Sequence, residues 1–240
     1  MSLSYAASLA AQAVAAAALF FATLEGWTFV QVSLLFTYGI RLGSYLVIRN
    51  LNRGFRAREA RLLAKRGRIG ALTKFIIWIS VAALYVLLAL PVLLTLSAEA
   101  AGLPLGSLPL GITLMAIGLG FESVADWQKY RFKVAQPTRF CNSGLYRIVR
   151  CPNYLGEMLF WIGVWFSAAT AYHGWLEWSL CTVGLACILG IMIGATRRLE
   201  GEQAEHYAAD DAYAIYTRTV PVLFPFLPIY SLRHMSARTP

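Results

Sequence analysis

The stretch GLGFESVADWQKYRFKVAQPTRFCNSGLYRIVRCPNYLGE, residues 118–157, decides how the chain folds. It leaves one apolar segment, crosses a basic loop and enters a second apolar segment. Carboxylates stand on both sides of the loop at membrane depth: Glu122 and Asp126 before it, Glu157 after it. An acid there is costly to insert, so it usually marks a functional site. Glu122 and Asp126 are four residues apart, as are Asn153 and Glu157, so each pair shares one helix face.

Outward from this stretch the pattern repeats. Of the 240 residues, 58% are hydrophobic and 14% charged, a balance that soluble domains of this size rarely show. Apolar runs predict helices over 6–24, 27–49, 71–97, 110–132, 152–172 and 179–196. Each comes close to the length that a bilayer core of about 30 Å demands. The expectation is an all-α integral membrane protein with about six transmembrane helices, seven being an open alternative, in a single domain over 1–240. The first run is longer than a signal segment and has no Lys or Arg before it, so it is expected to be retained. Pro91 should kink the third helix, and Pro152 suits the first position of the fifth. Residues 49–68, with eight Lys or Arg and one Glu, read as an amphipathic helix on the membrane surface. The tail after Arg197 is expected to fold back rather than hang free.

The net charge of +9 could suggest nucleic acid, but its distribution argues for membrane topology. All 21 Lys and Arg fall in or beside Arg41–Lys74, Lys129–Arg150 and the chain from Arg197 onward. The opposite connections carry none, which places the basic regions in the cytoplasm; the membrane expected is a bacterial inner membrane. These charges serve topology and anionic lipid, or some of them hold a phosphate-rich ligand. The four cysteines form no CxxC pair and no Cys/His ligand pattern, so neither a disulfide nor a structural zinc is expected.

Glu122, Asp126, Asn153 and Glu157 should meet at the inner mouth of the bundle, with Lys129, Lys133, Arg147 and Arg150 just outside. The fifth helix points its N-terminus the same way, where free N–H groups favour an anion. Cations at the rim suit phosphates, and acceptors deeper in suit ribose hydroxyls and an amide. That is a nucleotide site without a Rossmann fold: Gly118 and Gly120 follow no strand and are no dinucleotide fingerprint. The bland alternative is a polar cluster that only fixes helix packing. Tyr38 and Arg41, three apart on the second helix, form a polar pocket, or Arg41 merely snorkels to the interface.

ADWQKYRFK at 125–133, SGLYRIVRCPNYLGE at 143–157 and WIG at 161–163 resemble the steroid 5α-reductase family. The likeness is to bacterial members with the uncharacterised C-terminal domain of that name. It covers residues 110–226, with a fainter match of TYGIRLGSYLVIRNLNRG at 37–54. The resemblance implies NADPH as cofactor, contacted by Glu122, Asp126, Lys133, Asn153 and Glu157, with Arg150 and Arg198 as further candidates. Arg49 or Arg53 would meet its phosphate end. It implies that Tyr38 hydrogen-bonds the substrate carbonyl during reduction of a carbon–carbon double bond conjugated to a ketone. The substrate would be a steroid-like or other lipid arriving from the bilayer, with membrane lipids as neighbours and no nucleic acid partner. Three departures stand out. The usual RHP reads Arg150–Cys151–Pro152 here, the family has seven spans, and its catalytic Gln–Glu pair lacks a counterpart. Glu25, the only carboxylate before Tyr38, is the remaining candidate acid. The RCPNY turn, followed by Glu200, Tyr213, Tyr216 and Pro225, is also similar to isoprenylcysteine carboxyl methyltransferases. That resemblance implies S-adenosylmethionine instead.

Overall fold

A computed structural model describes residues 3–51 and 70–233. Among them every regular element is helical: α1 (Leu3–Leu19), α2 (Gly26–Leu51), α3 (Ala71–Ala100), α4 (Leu108–Ala135), α5 (Pro152–Ser167), α6 (Trp175–His206) and α7 (Asp211–Thr219), with a 3-10 turn at Gly144–Arg147. In α2 (over Gly26–Ile48), α3, α4 and α6 the apolar stretch is long enough to cross a membrane, and α1 is a shorter apolar helix. This is an integral membrane protein of the all-α class. The expected surface helix over 49–68 falls largely outside the described residues.

Two of the six expected spans come out short. α1 has 17 residues and α5 has 16, so at 1.5 Å per residue each measures about 25 Å. α1 gives way to turns at 20–23 before Gly26, whose φ of +47° suits glycine. α5 stops at Ser167, whose carbonyl finds a partner in the Ser107 hydroxyl at 3.0 Å, so the helix end is satisfied without another turn. In contrast α6 runs ten residues past the expected end at 196, because RRLEGEQAEH consists mostly of good helix formers.

The chain divides into two compact units, 1–112 with 164–184, and 113–163 with 185–240. In the first unit, α1 buries Tyr5, Ala6, Leu9, Ala13 and Ala16, a stripe of mostly small side chains. A Cβ added to Gly39 of α2 would stand 2.8 Å from the Ala10 nitrogen, so the α1 and α2 backbones touch there. α3 continues through Pro91, and Thr95 donates its hydroxyl to the Pro91 carbonyl at 2.8 Å. Polar pins complete the unit: Gln31 donates to Ser167 Oγ at 2.6 Å, and the Thr170 N–H donates to Ser107 Oγ at 3.0 Å.

In the second unit, α4 and α5 cross through glycines. A Cβ on Gly118 would lie 2.5 Å from the Phe160 nitrogen, and one on Gly156 would lie 2.6 Å from the Glu122 nitrogen. The connecting loop is tied back to α4, since Gln128 Oε1 accepts from the Leu145 N–H at 2.9 Å. Gly144 makes this approach with φ +60°, and a side chain there would collide with Gln128. The tail folds back, as expected from the sequence. Arg150 and Cys151 donate backbone N–H groups to the carbonyls of Pro221 and Val222 at 2.9 and 3.0 Å.

Candidate functional site: a buried acid cluster and an arginine clasp

The Gly118–Gly156 crossing positions the acids. Because the two backbones touch, Glu122 sits directly against Gly156, and Glu157 follows in the next position. Asp126 is one turn along α4 from Glu122, and Asn153 one turn before Glu157 on α5. Glu122, Asp126 and Glu157 are all buried, at 4%, 7% and 2% exposure. Three acids buried that deeply are rare unless they are paired or meet a ligand. Asn153 is half-buried, and its Oδ1 is buried without a hydrogen-bond partner among the described residues.

Arg150, two residues before the helix, turns to a different partner. Its guanidinium is 3.0 Å from Glu200 of α6, and it also donates to the Tyr230 carbonyl. Glu200 accepts the Leu232 N–H at 3.0 Å, and Arg197 Nε donates to the Leu232 carbonyl at 2.9 Å. The clasp therefore joins the loop, α6 and the tail through a buried ion pair. Phe140, Tyr213 and Tyr216 pack beside it, with Phe140 ring centroids 5.2 Å from Tyr213 and 5.1 Å from Tyr216. Tyr216 donates to the Tyr146 carbonyl at 2.7 Å. Burial pushes the Cys151 thiol up to about 11, against the pull of Lys129 and Arg150. It stays protonated at neutral pH and is a poor nucleophile.

The remaining candidates scatter. Lys133 binds the loop carbonyls of Pro137, at 3.3 Å, and Arg139, and the Tyr207 hydroxyl at 3.0 Å, so its charge holds the loop and tail. Arg198 is exposed on α6. The Arg49 side chain and Arg53 lie outside the described residues. In the first unit Tyr38 is fully buried and Arg41 half-buried one turn on. Glu25 is exposed at the start of α2. Thirteen residues of helical rise put it about 20 Å from Tyr38, too far for both to serve one reacting atom. Glu200 as the partner of Arg150 carries little signal in the sequence, being one Glu in a run of charges 50 residues away. The helix-touching roles of Gly118 and Gly156 had a signal in their position, each beside or one turn from an acid.

Fold and site together define a class: an all-helical membrane protein with buried acids at a glycine crossing and a buried arginine clasp that ties loop, α6 and tail together. Over residues 4–220 the chain matches the family described as "Protein of unknown function (DUF1295)", and it belongs to that family. The match reaches well beyond the C-terminal half that carries the clearest motifs. An uncharacterized protein of Schizosaccharomyces pombe is 34% identical over 89 residues, 37% of this chain. The matched part spans 24% of that relative's length. No solved structure matches the chain.

Proposed function

We propose that the chain is a membrane-embedded reductase, related to the steroid 5α-reductases, that uses NADPH to reduce a carbon–carbon double bond conjugated to a ketone. The substrate is steroid-like or another lipid and enters from the bilayer. The membrane is a bacterial inner membrane in this reading, and the charge asymmetry supports a cytoplasmic side for the basic regions. The observation that supports this reading is the burial of Glu122, Asp126 and Glu157 on α4 and α5, the two helices that cross where Glu122 lies against Gly156. The donor set fits a nucleotide. Carboxylates accept from ribose hydroxyls, and the unmatched Asn153 oxygen can accept from a carboxamide N–H. When bound, the cofactor supplies hydride to the β-carbon of the enone. Tyr38, buried in the first unit, is the group assigned to the ketone oxygen, donating a hydrogen bond that stabilises the developing enolate. In a dry site one such donor is worth about 3 kcal/mol.

Thermal stabilisation of the detergent-purified protein tests the reading. A ligand that binds only the folded state at 100 times its Kd adds about 2.7 kcal/mol. NADPH should raise Tm, Asn153→Ala should abolish most of the rise, and Tyr38→Phe should keep it while cutting turnover about 100-fold. Absence of any NADPH shift in the wild type would sink the proposal. A second reading, an S-adenosylmethionine-dependent methyltransferase, is favoured by the contact between the RCPNY turn and the tail through Arg150 and Glu200. A shift with S-adenosylmethionine and none with NADPH would select it.

A further inference from the structure

The second unit contains an open cleft of about 370 Å³, lined among others by Arg150, Glu200, Tyr213, Arg218, Ser231 and Arg233. It lies on the tail side of the clasp. Arg150 and Glu200 at its floor neutralise each other at 3.0 Å. Arg218 and Arg233 are exposed on the rim, and neither forms an ion pair among the described residues. The lining therefore carries two uncompensated positive charges. At the floor, the Arg150 guanidinium is committed to Glu200 and the Tyr230 carbonyl. The two rim guanidiniums therefore line a space larger than a bare phosphate needs.

We propose that this cleft binds a phosphate monoester. Such a group carries about −1.5 to −2 charge at neutral pH and three acceptor oxygens, which matches the two rim arginines. Guanidiniums grip phosphate through paired N–H donors, so Arg is the side chain of choice for it. A carboxylate would leave one rim arginine unmatched. The monoester can come from a soluble nucleotide or from a lipid headgroup, and the chemistry at the cleft is the same. The rim residues Arg218 and Arg233 lie outside the acid cluster and can be tested apart from the reductase reading, although Arg150 at the floor is also a cofactor candidate in that reading.

The test uses the full chain in a non-ionic detergent and titrates pyrophosphate by calorimetry. Arg218→Gln/Arg233→Gln should bind it at least tenfold more weakly with unchanged Tm, since both side chains are exposed. Arg139→Gln removes one exposed positive charge from the loop, away from the cleft lining, and should stay within twofold of wild type. Two competitors then name the source: NADPH against NADH, which lacks the monoester, and vesicles containing phosphatidic acid against vesicles of phosphatidylcholine alone. Displacement by NADPH or by phosphatidic acid supports the site. No pyrophosphate uptake by the wild type, equal uptake by the double variant, equal loss in Arg139→Gln, or displacement by neither competitor overturns it. Asn153→Ala should leave pyrophosphate binding intact. Absence of an NADPH shift in the wild type with pyrophosphate binding retained would therefore count against the reductase alone.

Discussion

The two units bury polar groups of different kinds. In the first unit the fully buried polar residues among those described are Thr28, Gln31, Thr95, Ser107 and Ser167, all neutral. In the second they are Glu122, Asp126, Arg150, Glu157, Thr196 and Glu200, of which only Thr196 cannot ionise. A buried hydroxyl or amide costs little once a nearby helix carbonyl accepts from it. A buried carboxylate or guanidinium demands a charge partner or a ligand. Neutral pins therefore read as structure, and the charged set as the place where function has to be sought.

The sharpest way to break this contrast is Glu200→Ala. It leaves Arg150 buried without its carboxylate and frees the Leu232 N–H as well. The expected cost is about 3–5 kcal/mol, read as a fall in Tm of the detergent-purified protein. Replacing both partners, Arg150→Met with Glu200→Met, should recover most of it, because no unpaired charge remains. A double variant as unstable as the single one would show that the clasp acts through packing and not through charge.

The next effect separates two glycines in one helix. A Cβ on Gly118 would meet the Phe160 backbone at 2.5 Å, whereas nothing lies within 4 Å of one on Gly120. Backbone cannot yield as a flexible side chain can, so Gly118→Ala should cost about 2 kcal/mol. Gly120→Ala should be neutral or stabilising by up to about 1 kcal/mol. Only the Gly118 variant should also weaken NADPH stabilisation, because it pushes Glu122 away from α5. Equal losses at both positions would remove the crossing as the element that positions the acids.

These contrasts show what the sequence can convey. The all-α membrane class is legible because every run of apolar residues is long and the basic residues cluster. The shared faces of Glu122 with Asp126 and of Asn153 with Glu157 are legible because helical periodicity is local. Gln31, Ser107 and Ser167 carry no such mark: single polar residues in apolar runs find one another only once the helices pack. The direction of Arg150 is likewise a long-range outcome, set by a tail 80 residues away. Hydropathy places the helix ends too far out at α1 and α5, because it does not register where turns or a side-chain partner end a helix, and too early at α6, because polar helix formers carry the helix on.

The smallest expected effect lies in the first unit, at Gln31→Leu. Gln31 Nε2 donates to Ser167 Oγ at 2.6 Å, yet the Ser167 hydroxyl already donates to the Val164 carbonyl at 2.7 Å and keeps that bond in the variant. The Gln31 Oε1 is buried without a partner among the described residues, so leucine removes one unmatched acceptor along with one hydrogen bond. Losing the bond costs about 1 kcal/mol, and deleting the unmatched oxygen returns a similar amount. Leucine also fills nearly the same volume. Tm should therefore stay within about 2 °C of the wild type. A loss as large as that of Glu200→Ala would erase the distinction between the units. A large loss of turnover at unchanged Tm would instead move Gln31 out of the structural set and next to Tyr38, which lies two helical turns further along the same face of α2.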